Sequence, residues 1–274
     1  MRHTRARRFD TPLGRIFVET AGSGPAIVMW PSLFFSDVPV RLQFDLLSKD
    51  HRILLLDPPG HGRSEAPRRT FTPDDCADAA VRILDDFGID RAVFLGASWG
   101  GPVCVTAALN FPERVRGLIV MNGPMHPFSA MQRMRFKLLV AIYERFGPLG
   151  FLVGAVTKLQ LSKESRTAHP ELQAANAERF RSADRHGVAL AMRSVLLGRS
   201  PSLGPRLKEL RMPALFVMGS RDAIVDVDAA RAAATATNTR FEVVQGSAHQ
   251  SGFEVPERVN PIITDFLRTI DAAS

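Results

Sequence analysis

Cysteine, tyrosine and tryptophan are scarce in this chain, at two, one and two copies among 274 residues. With only Cys76 and Cys104 there is no disulfide framework. Neither sits in a CxxC or Cys/His spacing that would hold zinc, so both read as buried, reduced thiols. Long apolar runs are missing too. The most apolar region, residues 136–161, is interrupted by Glu144, Arg145, Gly147, Pro148 and Lys158. A membrane span needs about 20 mostly apolar residues, so no membrane association is expected. No apolar stretch follows the basic residues at the start, which makes a secretory signal unexpected and a cytoplasmic location the default. Acidic charge is in deficit, with 28 Asp and Glu against 35 Lys and Arg, a net charge of +7. The one dense basic run is Arg2, Arg5, Arg7 and Arg8, which reads as a solvated arm. Because the remaining basic residues are scattered, no nucleic-acid partner is expected.

What is present suits an enzyme-sized globule: 45% hydrophobic and 23% charged residues exclude a disordered or collagen-like chain. The length fits one large domain or a domain with a sizeable insertion. Short β-branched and aliphatic runs at residues 15–19, 26–30, 53–57, 92–96, 117–121, 214–218 and 241–244 alternate with helix-like stretches. That rhythm predicts an α/β fold with a mostly parallel central sheet flanked by helices. Several runs are apolar throughout, as strands covered on both faces must be. An Ala-rich run at 228–236 predicts a helix, and residues 257–270 a closing one. From residue 124 to 210 the strand rhythm stops and helical segments rich in Met, Phe, Leu, Arg and Glu take over. The expected organisation is a core of residues 1–123 and 211–274 with a helical cap at 124–210, inserted between two core strands. An insertion there hangs over the carboxyl ends of the strands, where open α/β sheets bind ligands.

The residues 93–101 run as a buried strand, the turn Gly96-Ala97-Ser98-Trp99-Gly100, then a helix starting near Gly100. A serine in such a strained turn has small neighbours because only they tolerate it, and its hydroxyl projects above the sheet. A serine hydroxyl is a weak nucleophile and needs a base held in the correct tautomer by a third group. Both are expected further along: Gly219-Ser220-Arg221-Asp222 ends one strand and Ala248-His249 follows the last. Asp226 and Asp228 are rivals for the acid but read better as capping residues. Among the other histidines, His3 lies in the basic arm and His51 before a strand, while His126, His169 and His186 fall in the cap. His61, in Asp57-Pro58-Pro59-Gly60-His61-Gly62-Arg63-Ser64, competes as a base but reads as a structural hydrogen-bonding group.

These motifs, with Gly22-Ser23-Gly24-Pro25 before a strand and Glu254-Val255-Pro256-Glu257-Arg258-Val259 after the histidine, resemble the α/β-hydrolase superfamily across nearly the whole core. The resemblance implies a cofactor-free, metal-free hydrolase with Ser98 as nucleophile, His249 as base and Asp222 as orienting acid. Serine at position 98 disfavours members that use an aspartate nucleophile. In the family a His-Gly-x stretch follows the third strand; here Pro31-Ser32-Leu33 stands in its place. The oxyanion-hole donors implied by the resemblance are therefore the N–H groups of Leu33 and Trp99. Absence of His-Gly-Gly-Pro-Gly counts against a proline iminopeptidase.

Trp99, Met125 and Phe128 are the expected substrate-binding residues, within an apolar wall to which Met131, Met134, Phe136 and Leu139 also belong. Arg133, Arg135 and Arg221 would bind an anion only if turned inward. The expected activity is cleavage of a small or medium apolar ester or lactone through an acyl-enzyme. The alternatives are carbon–carbon bond hydrolysis of a diketone-like substrate, or a ligand-sensing protein with the hydrolase fold and little turnover. The partner is a small-molecule substrate; the oligomeric state is left open, with a homodimer as the option to test.

Overall fold

A computed structural model describes residues 4–34, 38–198, 202–235, 237 and 239–272; Arg2 and His3 lie outside the described residues. Its strands are β1 (Arg5–Thr11), β2 (Gly14–Ala21), β3 (Ala26–Trp30), β4 (Arg52–Leu56), β5 (Ala92–Ala97), β6 (Val115–Met121), β7 (Ala214–Gly219) and β8 (Thr239–Val244). They form one sheet in the order β1-β2-β4-β3-β5-β6-β7-β8. The β1/β2 and β2/β4 pairs are antiparallel, and every pair from β4 to β8 is parallel. The order reverses at β3, whose carboxyl end lies beside that of β5, the crevice in which such sheets bind ligands.

The parallel strands β3, β5 and β7 are buried at every residue. Alternate side chains enter opposite layers. Val28, Trp30, Phe94, Leu118 and Phe216 belong to one apolar cluster, and Ile27, Met29, Leu95, Ile119, Leu215 and Val217 to the other. This period of two is what a covered sheet requires. Helices α1 (Val38–Leu47), α2 (Pro73–Asp86) and α3 (Gly100–Asn110) come from the first half of the chain. Thr72 and Asp75 cap α2 reciprocally, each side chain accepting from the other's backbone N–H, which ends the preceding loop at a defined residue.

Between β6 and β7 come α4 (Ala130–Phe146), α5 (Gly150–Gln160), α6 (Lys163–Ala168), α7 (Pro170–Ser182) and α8 (Arg185–Met192), with no strand among the described residues there. Ser129 and Gln132 form a capping box that starts α4, and Gly147, at φ 76°, ends it. The chain closes with α9 (Val227–Thr235), the short α10 (Ser251–Glu254) and α11 (Pro256–Ala272).

One expectation needs correction. Arg5, Arg7 and Arg8 do not form a solvated arm; they lie in β1, paired in register with Thr20, Val18 and Phe17 of β2. Phe9 and Leu13, both buried, anchor this hairpin, while the arginines present charge along the open edge of the sheet and discourage edge pairing. The sequence hid the strand because only one of its two faces carries an apolar anchor. Cys76 and Cys104 are buried and unpaired with each other, as expected.

Candidate active site

The turn after β5 is tight enough to dictate its residues. Ser98 adopts φ 55°, and its N–H donates to the Met121 carbonyl at 2.8 Å. A Cβ on Gly96 would stand 2.2 Å from the Gly100 carbonyl oxygen, and one on Gly100 would stand 2.2 Å from that of Trp30. Both positions exclude a side chain, so the strand can turn into α3 only with glycine at each. The turn leaves Ser98 at the amino end of α3, where unpaired N–H groups and the helix dipole favour negative charge.

His249 follows β8 and Asp222 follows β7. The Ser98 hydroxyl lies 2.7 Å from His249 Nε2, and His249 Nδ1 lies 2.8 and 3.1 Å from the two Asp222 carboxylate oxygens. A carboxylate only accepts, so Nδ1–H donates to Asp222 and Nε2 is free to accept the serine proton. Asp222 also accepts from the N–H groups of Ile224 (2.8 Å) and Val225 (3.0 Å) and from Asn122 Nδ2 (3.0 Å). Burial pulls the Asp222 carboxyl toward its neutral form, but the His249 charge, its hydrogen bond and the two amides together hold it below its ordinary value. The acid therefore stays ionised and keeps the imidazole in one tautomer. Such a relay can take a proton from Ser98 as its oxygen attacks a carbonyl.

Asn122 had no signal in the sequence beyond its place after β6. At φ 52° it reaches both Asp222 and the Ala248 carbonyl (3.1 Å), while Ser251 Oγ donates to its Oδ1 at 2.5 Å. Glu254 belongs to the motif stretch after His249, but its role was likewise unforeseen. Buried, it accepts from Ala248 N–H (2.9 Å), Ser162 N–H (2.8 Å) and Ser165 Oγ (2.7 Å), joining the loop that carries His249 to the corner between α5 and α6.

The rival residues have other work. Asp226 accepts from Ala229 N–H at the start of α9, and Asp228 lies in that helix's first turn. His51 pairs with Asp271 and His169 with Glu171. His61 is buried, its Nδ1 3.0 Å from the Pro59 carbonyl and its Nε2 accepting the Phe34 N–H at 3.0 Å. It thus holds the loop after β3, in which Phe34 has φ 74°. In that loop the Leu33 N–H, like the Trp99 N–H, finds no acceptor among the described residues, and both residues line the cavity at Ser98.

Burial lowers the His61 pKa from 6.5 to about 4. Between those values the unfolded chain binds the proton more readily than the folded one, so stability is full above pH 6.5 and falls as the pH drops toward 4. This group alone is expected to remove about 3 kcal/mol over that window. Urea unfolding from pH 7 to pH 4 checks this: His61→Gln should flatten the slope, and an unchanged slope would reject the assignment.

Above Ser98 lies a cavity that encloses about 920 Å³ of space between atoms, counting the part open to solvent. The core contributes Leu33, Ser98, Trp99 and His249, and the helical insertion contributes Phe128, Phe136, Leu139, Val156, Leu159 and Gln160. Among the described residues, no Lys, Arg, Asp or Glu lines it. Of the residues expected at the substrate, Trp99 and Phe128 line this cavity and Met125 does not. It is buried beside Gly101 and Gly123, because the chain leaving β6 must first cover the two glycines where α3 and β6 approach. The three arginines are turned away from the cavity as well. Arg133 donates to the Leu197 carbonyl, Arg221 pairs with Glu164, and Arg135 is exposed. Met131 and Met134 are also exposed, so the wall is built from the face of α4 that carries Phe136 and Leu139.

Similarity to known proteins agrees with this architecture. The chain is 29% identical over 273 residues to a 2-hydroxy-6-oxononadienedioate/2-hydroxy-6-oxononatrienedioate hydrolase of Paraburkholderia phymatum, covering 94% of this chain and 89% of that protein. A protein of the same name from Burkholderia vietnamiensis is 30% identical, with 90% and 85% covered. Among solved structures, a thermophilic esterase from Thermogutta terrifontis superposes with a TM-score of 0.87 at 25% identity, covering 98% of this chain and 99% of that one. An enol-lactonase from Burkholderia xenovorans LB400 shares the fold with a TM-score of 0.86 at 24% identity, covering 96% and 100%. The alpha/beta hydrolase fold model matches residues 25–256, and the chain belongs to that family.

Proposed function

We propose that this hydrolase cleaves small or medium uncharged esters or lactones through Ser98, His249 and Asp222. The observation that carries the reading is the 2.7 Å contact between Ser98 and His249 on the floor of a cavity with an apolar wall. Ser98 Oγ attacks the substrate carbonyl while His249 Nε2 takes its proton. The Leu33 and Trp99 N–H groups receive the developing oxyanion, each such donor being worth about 3 kcal/mol of barrier. The imidazolium returns the proton to the leaving alcohol, and the acyl group remains on Ser98. Water then attacks that acyl-enzyme, His249 takes its proton, and the acid leaves as Ser98 regains its hydrogen. Residues 124–210 serve as a lid that dries the site and sets the acyl chain it admits.

Carbon–carbon bond hydrolysis is the second reading, because the curated relatives are named for oxodioate substrates. A dioate carries two carboxylates, and burying an anion without a counter-charge costs several kcal/mol. This wall offers no such cation among the described residues, so any diketone cleaved here is expected to be uncharged.

A panel of hexanoate esters, a medium-chain lactone, an uncharged 1,5-diketone and a 2-hydroxy-6-oxodioate distinguishes the readings. The neutral ester or lactone is expected to have a kcat/KM at least about 100-fold above the dioate. Faster cleavage of the dioate would overturn the substrate assignment. Binding without turnover of any of them would favour a sensor.

A further inference from the structure

The cavity wall holds few polar side chains, and most have their hydrogen bonds assigned. Ser194 Oγ donates to the Leu190 carbonyl and accepts the Phe71 N–H. Thr72 is spent on Asp75 at the start of α2. Ser32 Oγ lies 3.4 Å from both the Leu33 carbonyl and Gln250 Nε2. Gln160 differs. It is 5% exposed, it lines the cavity, and its Oε1 is buried with no hydrogen-bond partner among the described residues.

Its placement is fixed from two directions. On α5 it follows Val156 and Leu159 at the spacing that shares one helix face, and all three line the cavity. Its backbone carbonyl accepts the Gln250 N–H at 3.2 Å, which ties it to the residue after His249. A buried amide oxygen without a partner is costly, and leucine would fill similar space without that cost. No hydrogen bond of the amide NH₂ is found among the described residues either, so the amide suits a ligand that brings a hydroxyl, which can both donate and accept. Trp99 Nε1 also lacks a partner, but its ring packs edge-on to Trp30.

His249 returns its proton to the leaving group, so the alcohol part of an ester lies on the imidazole side, the side to which Gln160 is tied. We propose that the Gln160 side-chain amide forms a hydrogen bond with a hydroxyl on the alcohol portion of the substrate. The ester would then join an apolar acyl chain to a diol or glycerol-like alcohol. This rests on the reading of Ser98 as nucleophile.

Propyl hexanoate and 2-hydroxyethyl hexanoate have nearly the same shape and differ in a terminal methyl against a hydroxyl. The ratio of kcat/KM for the hydroxyethyl over the propyl ester is expected to fall about tenfold in Gln160→Leu, mainly through KM of the hydroxyethyl ester. Each ratio is internal to one protein, so partial loss of folded enzyme does not move it, and Gln160→Met serves if the leucine variant is insoluble. A ratio that stays within about twofold of the wild-type value would overturn the proposal. So would an effect confined to propyl 6-hydroxyhexanoate, whose hydroxyl is on the acyl side.

If no ester is turned over, the nucleophile reading fails by itself. The proposal is then judged from dissociation constants of both esters for Ser98→Ala and Ser98→Ala/Gln160→Leu, read by tryptophan fluorescence. Tighter binding of the hydroxyethyl ester that disappears in the double variant supports it, and equal affinities reject it.

Discussion

Ser98→Ala is expected to lower kcat for hexanoate ester hydrolysis by at least about 1,000-fold and to abolish labelling by a fluorophosphonate probe. Without the hydroxyl, the leftover rate comes from the cavity and the Leu33 and Trp99 N–H groups acting on direct attack by water. The substitution removes one oxygen that, among the described residues, bonds only to His249, and it leaves the Ser98 N–H bond to Met121 in place. Stability should stay within about 1 kcal/mol of wild type. The assay thus separates chemistry from folding. A loss smaller than about tenfold, or labelling that persists, would remove Ser98 from the reaction and return the site to a binding role.

Glu254→Ala should have the largest effect on stability. Glu254 accepts from Ala248 N–H, Ser162 N–H and Ser165 Oγ, all in buried residues. Alanine strands these donors in a site too enclosed to rehydrate each one freely, at a cost of about 2–4 kcal/mol. It also frees the α5–α6 corner from the loop that carries His249, so kcat should fall along with the urea midpoint. Glu254→Gln keeps one acceptor oxygen but turns an NH₂ toward the other donors, so a smaller loss in the same direction is expected. If both variants unfold within about 0.5 kcal/mol of wild type, the clamp is not structural.

Where the sequence was legible, a short stretch carried its own reason. The turn Gly96-Ala97-Ser98-Trp99-Gly100 needs glycine on both sides because backbone carbonyls approach where a Cβ would stand. The apolar runs at β3, β5 and β7 need no partner to be recognised, since both their faces are covered. The edge strand β1 was not legible, because an edge strand tolerates charge and only Phe9 marks its buried side. Met125 stands off the cavity because it lies in the loop between β6 and α4, where it covers Gly101 and Gly123, a packing that no local pattern announces.

The sequence by itself determined the alternation of strands and helices, the sharp turn at Ser98, and the order in which serine, acid and histidine arrive. Each of these depends on neighbours within a few residues, where backbone sterics and periodicity act. Only the tertiary structure decided that Asn122 holds Asp222, that Glu254 ties the insertion to the His249 loop, and that the arginines near the site face away from the cavity. The Asn122–Asp222 and Ser162–Glu254 contacts join residues 100 and 92 positions apart, and which groups meet across such distances depends on how the layers pack, not on local pattern.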